Sequence, residues 1–130
     1  MSIELTVLAL GCILGVAQIY VAAEVEGRQY GMKWAVSSRE AAMPPWNALV
    51  GRLKRAAANY LETFPIAAAA ILIVEAAGLN SALTAAGAIV WLAARIAYWI
   101  VYAIGVPVLR SALFATSIIA IAMLLWPAFF

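Results

Sequence analysis

Four long apolar segments dominate the chain, and few polar residues interrupt them. They cover residues 3–25, 48–77, 82–104 and 106–127. A helix needs about 20 consecutive, mostly apolar residues to cross the hydrocarbon core of a bilayer, and every segment meets that length. The apolar residues are continuous and do not alternate with polar ones, which argues against a membrane β-barrel. The pattern therefore predicts an all-α integral membrane protein.

The connections between these segments are unequal in length, and this predicts how the helices are arranged. Residues 24–48 form the only substantial connection. The second connection is a tight turn at residues 78–81, and the third is little more than Gly105 and Pro107. Short connections force consecutive helices to be antiparallel neighbours. We therefore predict a single domain over residues 1–130, built as a four-helix bundle with up-and-down topology.

The composition agrees with a membrane protein and narrows the possible chemistry. Of the 130 residues, 68% are hydrophobic and 11% are charged, which is more apolar surface than a soluble domain of this size can bury. The net charge of +2 is too small to indicate a nucleic-acid partner. There is no histidine, and the single cysteine, Cys12, lies inside an apolar run. We therefore expect no histidine-based catalysis, no metal site and no disulfide framework.

The positive charges are distributed asymmetrically, which predicts the orientation in the membrane. Four helices place both termini on one side and the long connection on the other. The basic residues on or near the side of the long connection are Arg28, Lys33, Arg39, Arg52, Lys54, Arg55 and Arg110. Cytoplasmic loops are enriched in lysine and arginine. We therefore predict that the long connection is cytoplasmic and that both termini face outward.

Polar residues inside the second and third segments form two stripes. Charges inside a membrane are rare because each costs roughly 2.5–3.5 kcal/mol near the centre. In both segments the polar residues are spaced three, four and three residues apart, so each set lies on one helical face. A hairpin turn at residues 78–81 pairs the two sets by depth. The predicted pairs are Arg52 with Gly105, Arg55 with Tyr102, Asn59 with Tyr98, and Glu62 with Arg95.

These pairs predict a polar groove that opens to the cytoplasm and closes at a buried ion pair between Glu62 and Arg95. Arg110, at the start of the fourth segment, lies near the mouth of the groove. Arginines bind carboxylates through paired hydrogen bonds, and Glu62 can receive an amine. The groove therefore predicts a small anionic ligand that also carries a positive group.

Each of these side chains also has a purely structural interpretation, which the sequence leaves open. Basic residues anchor helix ends to lipid headgroups, buried tyrosines pack with a satisfied hydroxyl, and polar side chains join neighbouring helices. These alternatives apply to Arg52 and Arg55, to Tyr98 and Tyr102, and to Asn59 and Glu62, respectively.

Two sequence blocks carry a resemblance to a known family. The first, RLKRAAANYLETFP, begins at Arg52, and the second, RIAYWIVYAIGVPVLRS, begins at Arg95. In this order, and within four helices, they resemble the MAPEG superfamily of membrane-associated proteins in eicosanoid and glutathione metabolism. The resemblance implies a homotrimer, in this case in a bacterial inner membrane, with glutathione sites between subunits.

The resemblance also implies roles for individual residues. Arg110 matches an arginine thought to stabilise the glutathione thiolate, which makes it the predicted catalytic residue. Arg55 matches a basic position near the glutathione carboxylates. Some glutathione-using members carry arginine at the position of Ala58 and histidine at that of Tyr98, so the chain departs from the pattern there. The predicted glutathione-binding residues are Arg52, Arg55, Asn59, Glu62, Arg95, Tyr98, Tyr102 and Ser111.

These features leave three functions to consider. The leading hypothesis is a glutathione-binding protein with transferase or peroxidase activity toward a lipophilic substrate. The second is a non-catalytic trimer that binds lipid or forms a scaffold in a larger membrane complex. The third, a small exporter, is disfavoured because Glu4 and Glu24 lie at the ends of the first helix, so that its core has no carboxylate to couple protons.

Overall fold

The computed structural model describes all 130 residues, and every regular element in it is a helix. The elements are α1 (Ile3–Tyr30), α2 (Met32–Ala35), α3 (Ala48–Ala77), α4 (Ala82–Ile104) and α5 (Pro107–Phe129). All of them except α2 are long and apolar enough to cross a membrane. The predicted all-α membrane bundle of four spanning helices is therefore confirmed.

Local capping chemistry sets most helix ends. The side chains of Ser2 and Asn47 accept hydrogen bonds from backbone amides in the first turns of α1 and α3. Ser81 and Thr84 cap the start of α4 reciprocally. Gly78 and Gly105 end α3 and α4 with φ values of 65° and 92°, in the left-handed region that glycine adopts without a steric penalty. The two predicted tight turns are thus where the sequence places them.

The first helix is longer than the apolar pattern predicted. It was predicted to end at residue 25 but continues to Tyr30, and the long connection that follows contains the short helix α2. Arg28 on this extension forms an ion pair with Glu24, one helical turn earlier, with an N–O distance of 3.3 Å, and such a pair stabilises the helix. Hydropathy shows where the apolar residues end. The helix itself is longer, because its backbone hydrogen bonds continue through the polar residues that follow. At α5 the boundaries differ from the prediction by one or two residues.

Side-chain contacts establish the up-and-down topology. At one end, Ser2 of α1 is hydrogen-bonded to Glu75 near the end of α3. At the other end, Glu26 of α1 pairs with Lys54 near the start of α3, with an N–O distance of 2.9 Å. We call the first the terminal end, because both chain termini lie there, and the second the loop end.

The tightest packing in the core lies where α1, α3 and α4 meet. Gly11 of α1 leaves room for two aromatic rings, since a Cβ there would lie 2.8 Å from Phe64 and 3.2 Å from Trp91. The Tyr60 hydroxyl donates a hydrogen bond to the Gly11 carbonyl oxygen at 2.5 Å. Tyr60 and Trp91 are both fully buried. This aromatic cluster fixes α3 and α4 against α1 and so sets the direction in which neighbouring polar residues point.

Close packing of α4 on α5 gives a first testable prediction. A Cβ at Gly87 would lie 3.0 Å from the Ala120 carbonyl oxygen and 3.1 Å from the Met123 Cβ. We expect Gly87→Val to push the helices apart and to destabilise the protein by about 1–3 kcal/mol, as overpacking does. The measurement is thermal unfolding in detergent. Ala86→Val, at an exposed position of the same helix, is the control, and equal losses from both variants would contradict close packing at Gly87.

Candidate functional site

Three arginines surround an open cavity of about 210 Å³ at the loop end of the bundle. Arg52 and Arg55 reach it from the first turns of α3, and Arg110 from the first turn of α5. Arg52 is fixed by a hydrogen bond from its Nε to the Ala103 carbonyl oxygen at 2.9 Å. Its side chain also lies against Gly105, as the predicted depth pairing requires.

Tyr102 of α4 holds the other two guanidinium groups together. Arg55 Nε donates a hydrogen bond to the Tyr102 hydroxyl at 3.2 Å, which agrees with the second predicted depth pair. The Arg110 guanidinium lies over the Tyr102 ring, 4.9 Å from its centroid, in a cation–π arrangement. Tyr102 therefore keeps two positive charges close together despite their mutual repulsion.

The arginines of this cavity have no carboxylate partner within the chain. The two ion pairs of the chain join Arg28 to Glu24 and Lys54 to Glu26. The cavity is therefore a concentration of uncompensated positive charge at the edge of a low-dielectric membrane protein. Such a site favours an anion, and guanidinium groups favour carboxylates and phosphates in particular.

A second cavity of about 300 Å³ continues from the first toward the middle of the bundle. Tyr102 and Arg110 line both cavities, so the two form one groove. Ser111 also lines the deeper part, although its hydroxyl donates to the Pro107 carbonyl oxygen at 3.1 Å. The groove brings together seven of the nine predicted site residues, namely Arg52, Arg55, Asn59, Tyr98, Tyr102, Arg110 and Ser111.

Arg95 lies behind this groove, in the interior of the subunit. It is only 1% exposed, and its Nη2 donates a hydrogen bond to Asn59 Oδ1 at 2.8 Å. Its guanidinium also lies over the rings of Tyr98 and Tyr60, at 4.4 and 5.5 Å from their centroids. Arg95 thus fixes the amide oxygen of Asn59 and leaves the amide nitrogen of Asn59 available to a ligand in the groove.

The predicted ion pair between Glu62 and Arg95 is wrong. Glu62 is exposed on the outer surface of α3 and makes no ion pair or side-chain hydrogen bond within the subunit. Two residues apart on a helix corresponds to a rotation of about 200°, so Tyr60 and Glu62 point in nearly opposite directions. Arg95 lies on the inner side with Tyr60. The predicted pairing by depth considers only the level of each residue along its helix and not the direction in which its side chain points.

Two further residues shape the site and were missed from the sequence. Phe114 lines the deeper cavity, one helical turn after Arg110, and this spacing was the available signal. Tyr60 contacts Arg95 but stands within the first sequence block, where it reads as an ordinary apolar position. Lys54, although close in sequence to Arg52 and Arg55, does not line the groove and pairs with Glu26.

The fold and the groove define an integral membrane protein of four spanning helices with a cationic, partly buried groove at one end. The model of the MAPEG family matches residues 7–130, which is nearly the whole chain. The chain therefore belongs to the MAPEG family. A comparison with curated proteins finds no match to it.

Proposed function

We propose that this protein binds glutathione in the groove and transfers it to, or uses it to reduce, a lipophilic substrate. The observation that carries the proposal is the convergence of Arg52, Arg55 and Arg110 on one open cavity without any carboxylate partner. Glutathione is a small anion with two carboxylates, one amine and one thiol. Membership of the MAPEG family supports the same ligand.

The groove offers partners for the carboxylates and the thiol. Arg52 and Arg55 at the mouth suit the carboxylates, and the free amide nitrogen of Asn59 suits a carbonyl or carboxylate oxygen deeper in the groove. Glu62 lies outside this groove, on the exposed face of α3, so it meets the amine only if a second copy packs against that face. The thiol then lies beside Arg110, the cation shared by the two cavities.

In the proposed mechanism, Arg110 activates the thiol of bound glutathione. A free thiol has a pKa of about 8.5 and is mostly protonated at neutral pH. A neighbouring guanidinium stabilises the thiolate and so lowers the pKa of the thiol. The thiolate sulfur attacks an electrophilic carbon of a substrate that arrives from the bilayer. The sulfur–carbon bond forms as the bond to the leaving group breaks, and the leaving group departs with the electron pair.

The affinity for glutathione tests the proposal directly. We expect Arg55→Ala to weaken glutathione binding about tenfold or more, because a charge-assisted hydrogen bond contributes roughly 1.5–3 kcal/mol. Isothermal titration calorimetry on the detergent-purified protein measures the Kd. Lys33→Ala, which removes an exposed positive charge outside the groove, is the control. If the wild-type protein shows no saturable binding at millimolar glutathione, the proposal is overturned.

A non-catalytic trimer that binds lipid or serves as a scaffold is the second candidate. It is favoured by the polar outer face of α3, where Arg55 and Glu62 are exposed, because such a face suits another protein chain better than lipid. Saturable glutathione binding without turnover of any lipophilic electrophile or peroxide would support this second candidate over the first.

The same outer face supports a homotrimer. A carboxylate in contact with hydrocarbon costs roughly 2.5–3.5 kcal/mol near the bilayer centre, and burial against a second copy removes Glu62 from lipid. The groove residues near this face would then lie at a boundary between subunits. Native mass spectrometry of the protein released from detergent measures the number of copies, and a monomer would contradict this part of the proposal.

For the location we propose a bacterial inner membrane, with both termini outside and the connection between α1 and α3 in the cytoplasm. We expect Lys33→Cys, in a Cys12→Ala background, to react with a membrane-impermeant maleimide only after the cells are permeabilised. Phe130→Cys in the same background is the control and is expected to react in intact cells. Labelling of the Lys33→Cys variant in intact cells would contradict the proposed orientation and indicate the opposite one.

A further inference from the structure

Five buried side-chain atoms in the interior of the bundle lack a hydrogen-bond partner. They are Gln18 Nε2 and Oε1, Trp91 Nε1, and Arg95 Nε and Nη1. All three residues are at most 2% exposed. A buried polar group without a partner costs about 1–3 kcal/mol, and native proteins leave few of them unsatisfied. A cluster of this size therefore requires an explanation.

The register between α1 and α4 indicates how these residues are placed relative to one another. The Thr84 hydroxyl donates a hydrogen bond to Glu4 at 2.6 Å. Seven residues further along both helices, Gly11 lies against Trp91. Continued by seven more residues, the same register brings Gln18 to the level of Tyr98, whose ring centroid lies 4.4 Å from the Arg95 guanidinium. On this register we expect Gln18 to face Arg95.

The chemistry of the unpaired atoms is complementary. Four of them are nitrogens, and Gln18 Oε1 is the only oxygen. Arg95 is a buried cation whose hydrogen-bond partner within the subunit is the neutral Asn59 amide. An acceptor beside its Nε and Nη1 is what this guanidinium lacks, and a buried water commonly bridges such groups.

We propose that Gln18 is a positioning residue for the binding groove. One buried water accepts a hydrogen bond from Nε or Nη1 of Arg95 and donates one to Gln18 Oε1. The guanidinium is then held at both edges, with Nη2 directed at Asn59 Oδ1. A chain of contacts from α1 through α4 to α3 thereby fixes which face of the Asn59 amide meets the ligand. The inference rests on the proposed function, because it concerns the same groove.

Without Gln18 the guanidinium loses its support at one edge, and the Asn59 amide is held less firmly in its orientation. The contact that weakens is the hydrogen bond of the Asn59 amide to the ligand. A neutral hydrogen bond contributes about 0.5–1.5 kcal/mol, which corresponds to roughly a two- to tenfold change in affinity. We therefore expect Gln18→Leu to raise the Kd for glutathione by that factor at a temperature well below unfolding. Ile19→Ala, at an exposed position one residue away, is the control and is expected to leave the Kd unchanged.

A double-mutant cycle separates positioning from a merely structural role. If Gln18 acts through Asn59, Gln18→Leu is expected to change the Kd less than twofold in an Asn59→Ala background, since interacting residues are not additive. An equal fold-change in the two backgrounds would overturn the inference.

Thermal unfolding tests the contact with Arg95 even if the protein binds no glutathione. Gln18→Glu introduces a carboxylate beside the buried guanidinium. We expect it to raise the Tm of the wild-type protein, because Arg95 gains a counter-ion. In an Arg95→Met background the same change leaves a buried charge unpaired and is expected to lower the Tm. A fall of similar size in both backgrounds would show that Gln18 and Arg95 do not interact, whatever the ligand of the groove.

Discussion

Truncation of Trp91 to alanine is expected to lower the free energy of unfolding by about 3–5 kcal/mol, as large aromatic truncations in cores do. The side chain is fully buried and lies near the rings of Tyr60 and Phe64, with centroid distances of 6.1 and 5.9 Å. Because it also contacts Gly11 of α1, its removal opens a cavity where three helices meet. Lipid provides no compensation, since the cavity lies inside the bundle.

Reversible unfolding in mixed micelles measures this loss. Trp126→Ala is the matched control, because Trp126 is 55% exposed at the end of α5 and its loss is expected to cost far less. Trp91→Phe is expected to be milder than Trp91→Ala, since it keeps a ring in place and removes the unpaired Nε1 donor. Equal losses for Trp91→Ala and Trp126→Ala would contradict the assignment of Trp91 to the centre of the core.

The helices were predictable where apolar content and capping chemistry coincide. The predicted limits of α3 and α4 agree with the structure at both ends, because Asn47 and Ser81 cap their starts and Gly78 and Gly105 end them. The end of α1 was not predictable from hydropathy, since that helix continues through polar residues to Gly31, where φ is 93°.

The groove was predictable where two residues are in contact because they lie at the same level of α3 and α4. Helical periodicity and the hairpin turn correctly placed Arg52 beside Gly105 and Arg55 beside Tyr102. The direction of Arg95 depends on which face of α3 is covered by α1. The face of α3 that packs against α1 is set by Gly11 and the other close contacts of α1. The two polar stripes do not show which face this is.

Removal of Arg110 is expected to have the largest effect on the proposed reaction. Loss of one group that stabilises a developing or localised negative charge typically slows an enzyme about 10²–10³-fold. Arg110→Ala leaves Arg55 and Asn59 in place, so we expect glutathione affinity to change much less than the rate. The ultraviolet absorbance of the thiolate in the bound complex should fall together with the rate at neutral pH.

The pH dependence distinguishes thiolate stabilisation from a structural effect of the same substitution. Without Arg110 the pKa of the bound thiol rises toward that of the free thiol. A higher pH is then needed to form the thiolate. The rate of Arg110→Ala is therefore expected to increase with pH and to recover part of the loss at alkaline pH. Arg110→Lys keeps the charge but loses the planar stacking on Tyr102, and an intermediate rate is expected. If Arg110→Ala is slow at every pH while its thiolate absorbance equals that of the wild type, Arg110 does not act by stabilising the thiolate.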